Sequence, residues 1–303
     1  LFTSWVEQHY LGAKGQYFNL PFLERGLVAG RAFWFYLGHL AWPLDLNFLY
    51  PRWTPNASVW WQWLFPLGAL VLLLALWALR RRTRAPLAAC LFFIGSLFPV
   101  LGFVNLYGAL YSFVWDHWQY LPDLGPIALA GAGLALAWER LAVHLRGLKP
   151  ALVAGLALLL GSLTWAHCGM FHDDQRLYRE TLARNPFAWM AHFNLGGIFL
   201  KIPGREPEAI AEFETALRIN PDLADVHYNL GTIFAKIPGR EPEAIAHFEA
   251  ALRLNPENGA VHYNLANLLL KTPGRLPDAI AHYRAALQIN PGLAEAHYNL
   301  GIA

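Results

Sequence analysis

The sequence predicts an all-α protein in two parts: a polytopic transmembrane helical region over 1–168, with four or five hydrophobic helices, followed by a superhelical solenoid of helical hairpins over 169–303. Three observations carry this expectation. Apolar residues make up 56% of the chain and charged residues only 15%, against roughly 45–50% and about 25% in an ordinary soluble domain. The apolar excess is gathered into long uncharged runs before residue 168. Beyond it, proline, histidine and asparagine recur with a period of 35 residues.

The same composition excludes several classes. With 13 Trp, 12 Tyr and 19 Phe the chain is not a disordered one. A formal charge of +2 argues against a nucleic-acid binder, which normally shows a concentrated basic face, so no nucleic-acid partner is expected. Cys90 and Cys168 cannot make a disulfide framework, and no CxxC or Cys/His cluster points to a metal. On the expected topology they lie far apart and stay thiols. Because the chain opens at Leu1 and stops at Ala303 inside a repeating pattern, we expect a fragment of a longer protein.

Taken in order, Gly26 to Leu44 is an aromatic-rich run interrupted by Arg31 and His39, read either as a fifth span or as a helix lying in the membrane interface. Trp60 to Leu79 has Gln62 as its only strongly polar residue, and about 20 helical residues cross the ~30 Å hydrocarbon layer. Pro86 to Val104 is uncharged, Tyr120 to Trp138 holds only Asp123, and Pro150 to Ala166 is charge-free. These are the four candidate spans. Arg80, Arg81, Arg82 and Arg84 follow the first, and Arg140, Arg146 and Lys149 lie between the third and fourth, so both loops are expected in the cytoplasm. The Asn105 to Gln119 connection has no Lys or Arg and belongs outside, where Trp60, Trp61, Trp63, Trp115, Trp118 and Tyr120 suit an interfacial aromatic belt. The residues after His167 are then delivered to the extracytoplasmic side, in a periplasm or lumen.

There Pro186, Pro221, Pro256 and Pro291 mark the period, together with His192, His227, His262 and His297. His227, Leu230, Gly231 and Phe234 form one helical stripe; Ala244, Phe248, Ala251 and Leu252 form a second that Pro256 terminates. Between them 236–240 must turn, and Pro242 suits the first turn of the second helix. This pattern resembles the tetratricopeptide repeat (TPR), with His227, Leu230, Gly231, Phe234, Ala244, Phe248, Ala251 and Pro256 as the matching types. Two departures are His in place of the usual Trp and one extra residue in the turn. Asp174 to Asn185 reads as a lone second helix, followed by three repeats and the start of a fourth.

Asn194, Asn229, Asn264 and Asn299 lie two residues beyond the histidines, about 200° around the helix and off the packing stripe. Lys201, Lys236 and Lys271 follow seven residues later on the same face; only five lysines occur in the chain. The functional reading is a ladder of amides and ammonium groups that holds an extended acceptor polypeptide, or another protein partner, without reading its sequence. Asn ladders of this kind also occur in the repeats of sugar-transferring enzymes that modify protein hydroxyls. The alternative is that duplication copied a neutral solvent-facing residue. The His row, on the packing stripe, is read as core histidine, while His247 and His282 are read as surface residues.

In the first half, Asp116-His117 is the one adjacent acid/imidazole pair near the outer surface, among Tyr107, Tyr111, Trp115, Trp118 and Tyr120. Such a pair suits contact with the phosphate or sugar of a lipid-linked donor; the structural alternative is that Asp116 caps a helix and the aromatics anchor at headgroup depth. Asn56-Ala57-Ser58 is a lone sequon.

Three strings, ERGLVAGRAFWFYLGHLAWPLDLNFLYPRW (Glu24 to Trp53), YSFVWDHWQYLPDLG (Tyr111 to Gly125) and LYRETLARNP (Leu177 to Pro186), make the first half similar to the C-terminal membrane region of the transmembrane and tetratricopeptide-repeat-containing O-mannosyltransferase-like proteins and their bacterial relatives. The resemblance implies a multi-spanning glycosyltransferase that moves a sugar from a polyprenyl phosphate to a protein hydroxyl. Its catalytic acid would lie in a loop before Leu1, so no catalytic residue is assigned here, and Asp116 is not offered as a substitute. No cofactor is expected within this fragment, while a divalent metal in the full-length protein stays open. Two rival expectations are a non-enzymatic, membrane-anchored scaffold whose repeats recruit protein partners, and a lipid-linked glycan polymerase or ligase.

Overall fold

In a computed structural model, which describes residues 20–43, 46–103, 112–141 and 148–303, the chain divides into two compact units, Leu1–Pro186 and Phe187–Ala303. The lone helix of the sequence pattern, Asp174–Arg184, falls within the first of these units. Tyr107, Tyr111 and Arg146 lie outside the described residues.

The first unit is organised on α1 (Phe22–Ala41), which starts behind Pro21 and stops at Trp42, just before Pro43. Its Gly30 lies where a Cβ would be 2.4 Å from the Pro66 backbone nitrogen, so only a missing side chain lets α1 cross α2 (Leu64–Leu79) this closely. The Trp34 indole donates to the Phe65 carbonyl at 2.9 Å. Ala32, Phe33 and Tyr36 of α1 then form one core with Tyr50, Phe93, Leu97, Leu101 and Val114. Arg31 does not break this helix, because its guanidinium lies over the Trp53 ring, 4.6 Å from the centroid. Within the run that the sequence marked from Gly26, the residues to Ala41 thus belong to a core helix of the first unit.

Among the described residues two helices are long and apolar enough to cross a membrane, Trp60–Leu79 and Pro150–Phe171. The other two expected spans are shorter apolar helices, Ala85–Val100 and Leu124–Glu139, so a polytopic region of four or five spans is not supported. Proline is the physical reason. Pro99 falls inside the 86–104 run, and α3 (Ala85–Leu97) passes there into the 3-10 turn Phe98–Val100. Leu121 to Asp123 form a turn around Pro122, which delays α4 to Leu124–Leu141. α5 (Lys149–Cys168) leads through a 3-10 turn, Gly169–Phe171, to α6 (Asp174–Arg184), which Asp173 caps by accepting from the Arg176 amide at 2.8 Å. Cys90 and Cys168 are both free thiols.

The second unit is a run of antiparallel hairpins: α7 (Trp189–Leu200) with α8 (Glu206–Ile219), α9 (Ala224–Phe234) with α10 (Glu241–Leu254), α11 (Gly259–Leu270) with α12 (Leu276–Ile289), and then α13 (Ala294–Ile302). Each hairpin turns through a glycine of positive φ, 82° at Gly204, 84° at Gly239 and 78° at Gly274. A proline follows in the first turn of each second helix, where a missing N–H is harmless. Leu230, Phe234, Ala244, Phe248 and Ala251 are buried together, as the two stripes predict. No hairpin could cover such a stripe alone, and stacking the next one buries it.

Candidate functional site

The Asn row is half-buried throughout. Its face is the one on which successive first helices meet. Asn264 Nδ2 lies 3.5 Å from the Tyr228 hydroxyl of the preceding hairpin, and Asn299 Nδ2 donates to Asn267 Oδ1 at 2.9 Å. Asn267 also accepts from the Tyr283 hydroxyl at 2.6 Å. Packing therefore engages part of this row, at Asn264 and Asn299. Asn267 was not visible in the period because Gly197 and Thr232 stand at its place in the earlier hairpins. The only hint was a lone amide breaking the apolar run from Leu265 to Leu270.

The lysines leave the helices at their ends. Lys201 and Lys271 are the C-terminal caps of α7 and α11, Lys236 follows the cap of α9, and all three are exposed. Cations are favourable there, where the last carbonyls of a helix concentrate negative potential. Lys271 lines a groove of about 690 Å³ with Glu241, Ile245 and Glu249 of α10, and with Leu268 and Arg275. Asn264 turns instead to α9. The seven-residue spacing thus does not bring amide and ammonium into one cavity in this hairpin.

His192, His227 and His262 are half-buried, as their stripe predicts. The reading of His247 and His282 as surface residues needs correction: both are half-buried and hydrogen-bonded to the row, His247 to His227 and His282 to His262, each at 2.9 Å between Nδ1 atoms. The second helix turns this position inward because it lies one residue before the buried Phe248 or Tyr283.

In the first unit Asp116 and His117 part company. Asp116 opens a 3-10 turn, Asp116–Gln119, whose cap position is Trp115 and carries no side-chain bond, so Asp116 is not the expected helix cap. Its carboxylate points inward and accepts from the Tyr50 hydroxyl at 2.8 Å, and that hydroxyl accepts from the Asn47 amide at 2.9 Å. Alongside, the Trp115 amide donates to the Tyr36 hydroxyl at 3.1 Å. Burial pushes the Asp116 carboxyl up, against the opposing pull of the Tyr50 hydrogen bond and of His39, His167 and His117. His117 is exposed, its ring edge-on to Trp118. Trp115 is buried against Phe48 and does not join an interfacial belt, whereas Trp60 and Tyr120 are exposed. Beside this cluster a cavity of about 390 Å³ is lined by Phe35, His39, Asn47, Tyr50, Pro51 and Arg184. Asn185 closes the arrangement by donating to the Leu49 carbonyl at 3.1 Å. No group of three or more His, Cys, Asp or Glu suited to a metal ion occurs among the described residues.

These features define the second unit as an all-helical solenoid of 35-residue hairpins. Comparison with known families gives the class a name: a tetratricopeptide repeat model matches residues 239–294, and a TPR repeat model matches residues 204–237. The chain carries tetratricopeptide repeats. Among solved structures, two crystal structures of MamA are 24% identical, with TM-scores of 0.39; they cover 42% and 45% of this chain, and 73% of each MamA chain. A thermophilic TPR protein of Thermus thermophilus is 21% identical, with a TM-score of 0.34, covering 51% of this chain and 96% of that one. No curated protein matches the chain.

Proposed function

We propose that this chain is a membrane-anchored TPR scaffold whose second unit holds an extended segment of a protein partner along its first helices. The recurrence of Asn194, Asn229 and Asn264 at one register of α7, α9 and α11 carries the reading. An amide offers both a donor and an acceptor to a peptide bond, so a row of them grips a backbone of any sequence. The anchor is supported by α2 and α5, where Leu70, Val71, Leu74, Leu156, Leu158 and Trp165 are exposed. Apolar side chains in such numbers need lipid around them. In this reading the repeats lie outside the cytoplasm. A photo-crosslinking residue at position 194 or 229 should trap a protein partner in intact cells. Replacing Asn194, Asn229 and Asn264 together by Ala should weaken that capture, each amide contributing about 0.5–1.5 kcal/mol net. Undiminished capture by the triple variant would return the row to inherited repetition.

One observation favours a second reading, the fragment of a polyprenyl-phosphate-dependent protein O-glycosyltransferase. The three strings that carry that resemblance meet at one place, through Trp115 to Tyr36, Tyr50 to Asp116, and Asn185 to Leu49. Under this reading the cluster supports a site for the lipid-linked sugar. Asp116→Asn in the full-length protein should then lower sugar transfer severalfold at normal expression. Unchanged transfer leaves the cluster as packing.

A further inference from the structure

One position of the second helix differs in kind between hairpins. In the first it is Glu212, whose Oε2 lies 2.6 Å from His192 Nδ1; in the next two it is His247 and His282, each 2.9 Å from the Nδ1 of a row histidine. The row histidines are held from their other side. His262 Nε2 lies 3.0 Å from the Pro256 carbonyl, His297 Nε2 lies 3.0 Å from the Pro291 carbonyl, and His227 bonds to the backbone of Pro221. A carbonyl only accepts, so Nε2 of His262 carries the hydrogen, and Nδ1 of the neutral ring is an acceptor. His282 then donates from its own Nδ1. The His227 and His247 pair has the same geometry, so each pair is one N–H···N bond that tolerates a proton on the donor ring and is broken only when the acceptor Nδ1 is protonated as well. The His192 and Glu212 contact survives full protonation of its ring: the ring donates to a carboxylate, and a proton on the ring strengthens it.

We propose that the second and third hairpins form an acid-sensitive joint, in which protonation of both rings of the His227–His247 and His262–His282 pairs loosens α9 from α10 and α11 from α12, while α7 and α8 stay fastened through His192 and Glu212. A doubly protonated pair has two donors and no acceptor, and it sets like charges face to face. The hydrophobic stripe still joins the helices, so the joint opens without the hairpin unfolding.

The groups around the rings set the direction. His227 lies under the influence of Arg253; His247 faces Arg240 and Glu243, with the Phe234 ring 5.4 Å away. His282 faces Asp278, Glu249 and Arg275. Burial is the largest influence and pushes His227, His247 and His282 below the ordinary value of 6.5; the partner ring pushes His247 and His282 further down, and the carboxylates Glu243, Asp278 and Glu249 only partly offset this. Histidines depressed in the folded state contribute stability above about pH 6.5. That contribution is lost as pH falls through the lowered values.

Hydrogen exchange read by mass spectrometry on the full chain in detergent, at about pH 7.5 and about pH 5.5 and corrected for intrinsic rates, tests this in the window where imidazoles titrate. Protection in α9 to α12 should fall with acid, by up to about tenfold per pH unit for each proton taken up on opening. α7 and α8 should keep theirs. His247→Glu with His282→Glu copies the first hairpin into the other two and should abolish the acid loosening. If that variant does not fold, His247→Gln with His282→Gln decides, since one imidazole fewer in each pair should clearly reduce the pH dependence of its protection. Equal wild-type protection at both pH values, or acid loosening that persists undiminished in the variants, overturns the proposal. The readout needs no partner, so it stands or falls separately from the peptide-binding reading.

Discussion

Gly196 and Gly197 are neighbours on α7 with opposite tasks. A Cβ on Gly196 would lie 2.8 Å from the Phe213 ring, whereas one on Gly197 would meet nothing within 4 Å. Gly196→Ala therefore overpacks the hairpin, an effect of about 1–3 kcal/mol that the better helix propensity of Ala offsets by about 1. The third hairpin already has Ala266 at this place, fully buried, so the spacing can adapt and the net loss should stay near the low end. Gly197→Ala should instead stabilise, by up to about 1 kcal/mol. Denaturant unfolding of the two variants checks this, and equal shifts would contradict the packing. The period made the role of Gly196 legible, because Gly231 repeats it on the stripe. It did not reveal the pairing of His247 with His227, since a period says which residues are equivalent and is silent on which ones touch across a turn.

The helices themselves follow from local chemistry where proline and glycine punctuate them. Pro242 and Gly239 fix the start of α10 and the turn before it, and both were readable in the sequence. The first unit was less readable, because an apolar run states that a segment is buried without saying in what. Pro99 and Pro122 shortened two expected spans, and only the approach of Gly30 to Pro66 shows that α1 lies at the centre of a core. Caps also vary between otherwise repeated elements. α7, α9 and α13 have no side-chain cap, whereas Asn258 accepts from the Val261 amide at 3.2 Å to cap α11. Asn258→Ala should lower stability by about 0.5–1 kcal/mol, the weak end of N-cap effects because the bond is long. Its signature should be faster exchange at the start of α11 alone; a loss spread over every hairpin would mean that Asn258 does more than cap.

At the scale of the whole chain, if it is anchored as proposed, the side of the membrane that receives the repeats depends on parity more than on the exact number of spans. Arg80, Arg81, Arg82 and Arg84 directly follow Trp60–Leu79 and, under the proposed anchoring, would hold that end in the cytoplasm by the positive-inside rule. Among the later described helices, only Pro150–Phe171 is long and apolar enough to cross by itself. If it alone crosses, the chain returns to the outside; if the shorter helices Ala85–Val100 and Leu124–Glu139 also cross as a pair, the result is the same. Two crossings and four crossings would both deliver the repeats to the side opposite the arginines. Cys168, exposed at the end of α5, is a natural reporter for that side once Cys90 is replaced by Ala. A membrane-impermeant maleimide should label Cys168 in intact cells, and a cysteine introduced beside Arg82 should react only after permeabilisation. The reverse pattern would put the repeats in the cytoplasm, and reaction of both sites in intact cells would show that Trp60–Leu79 does not span.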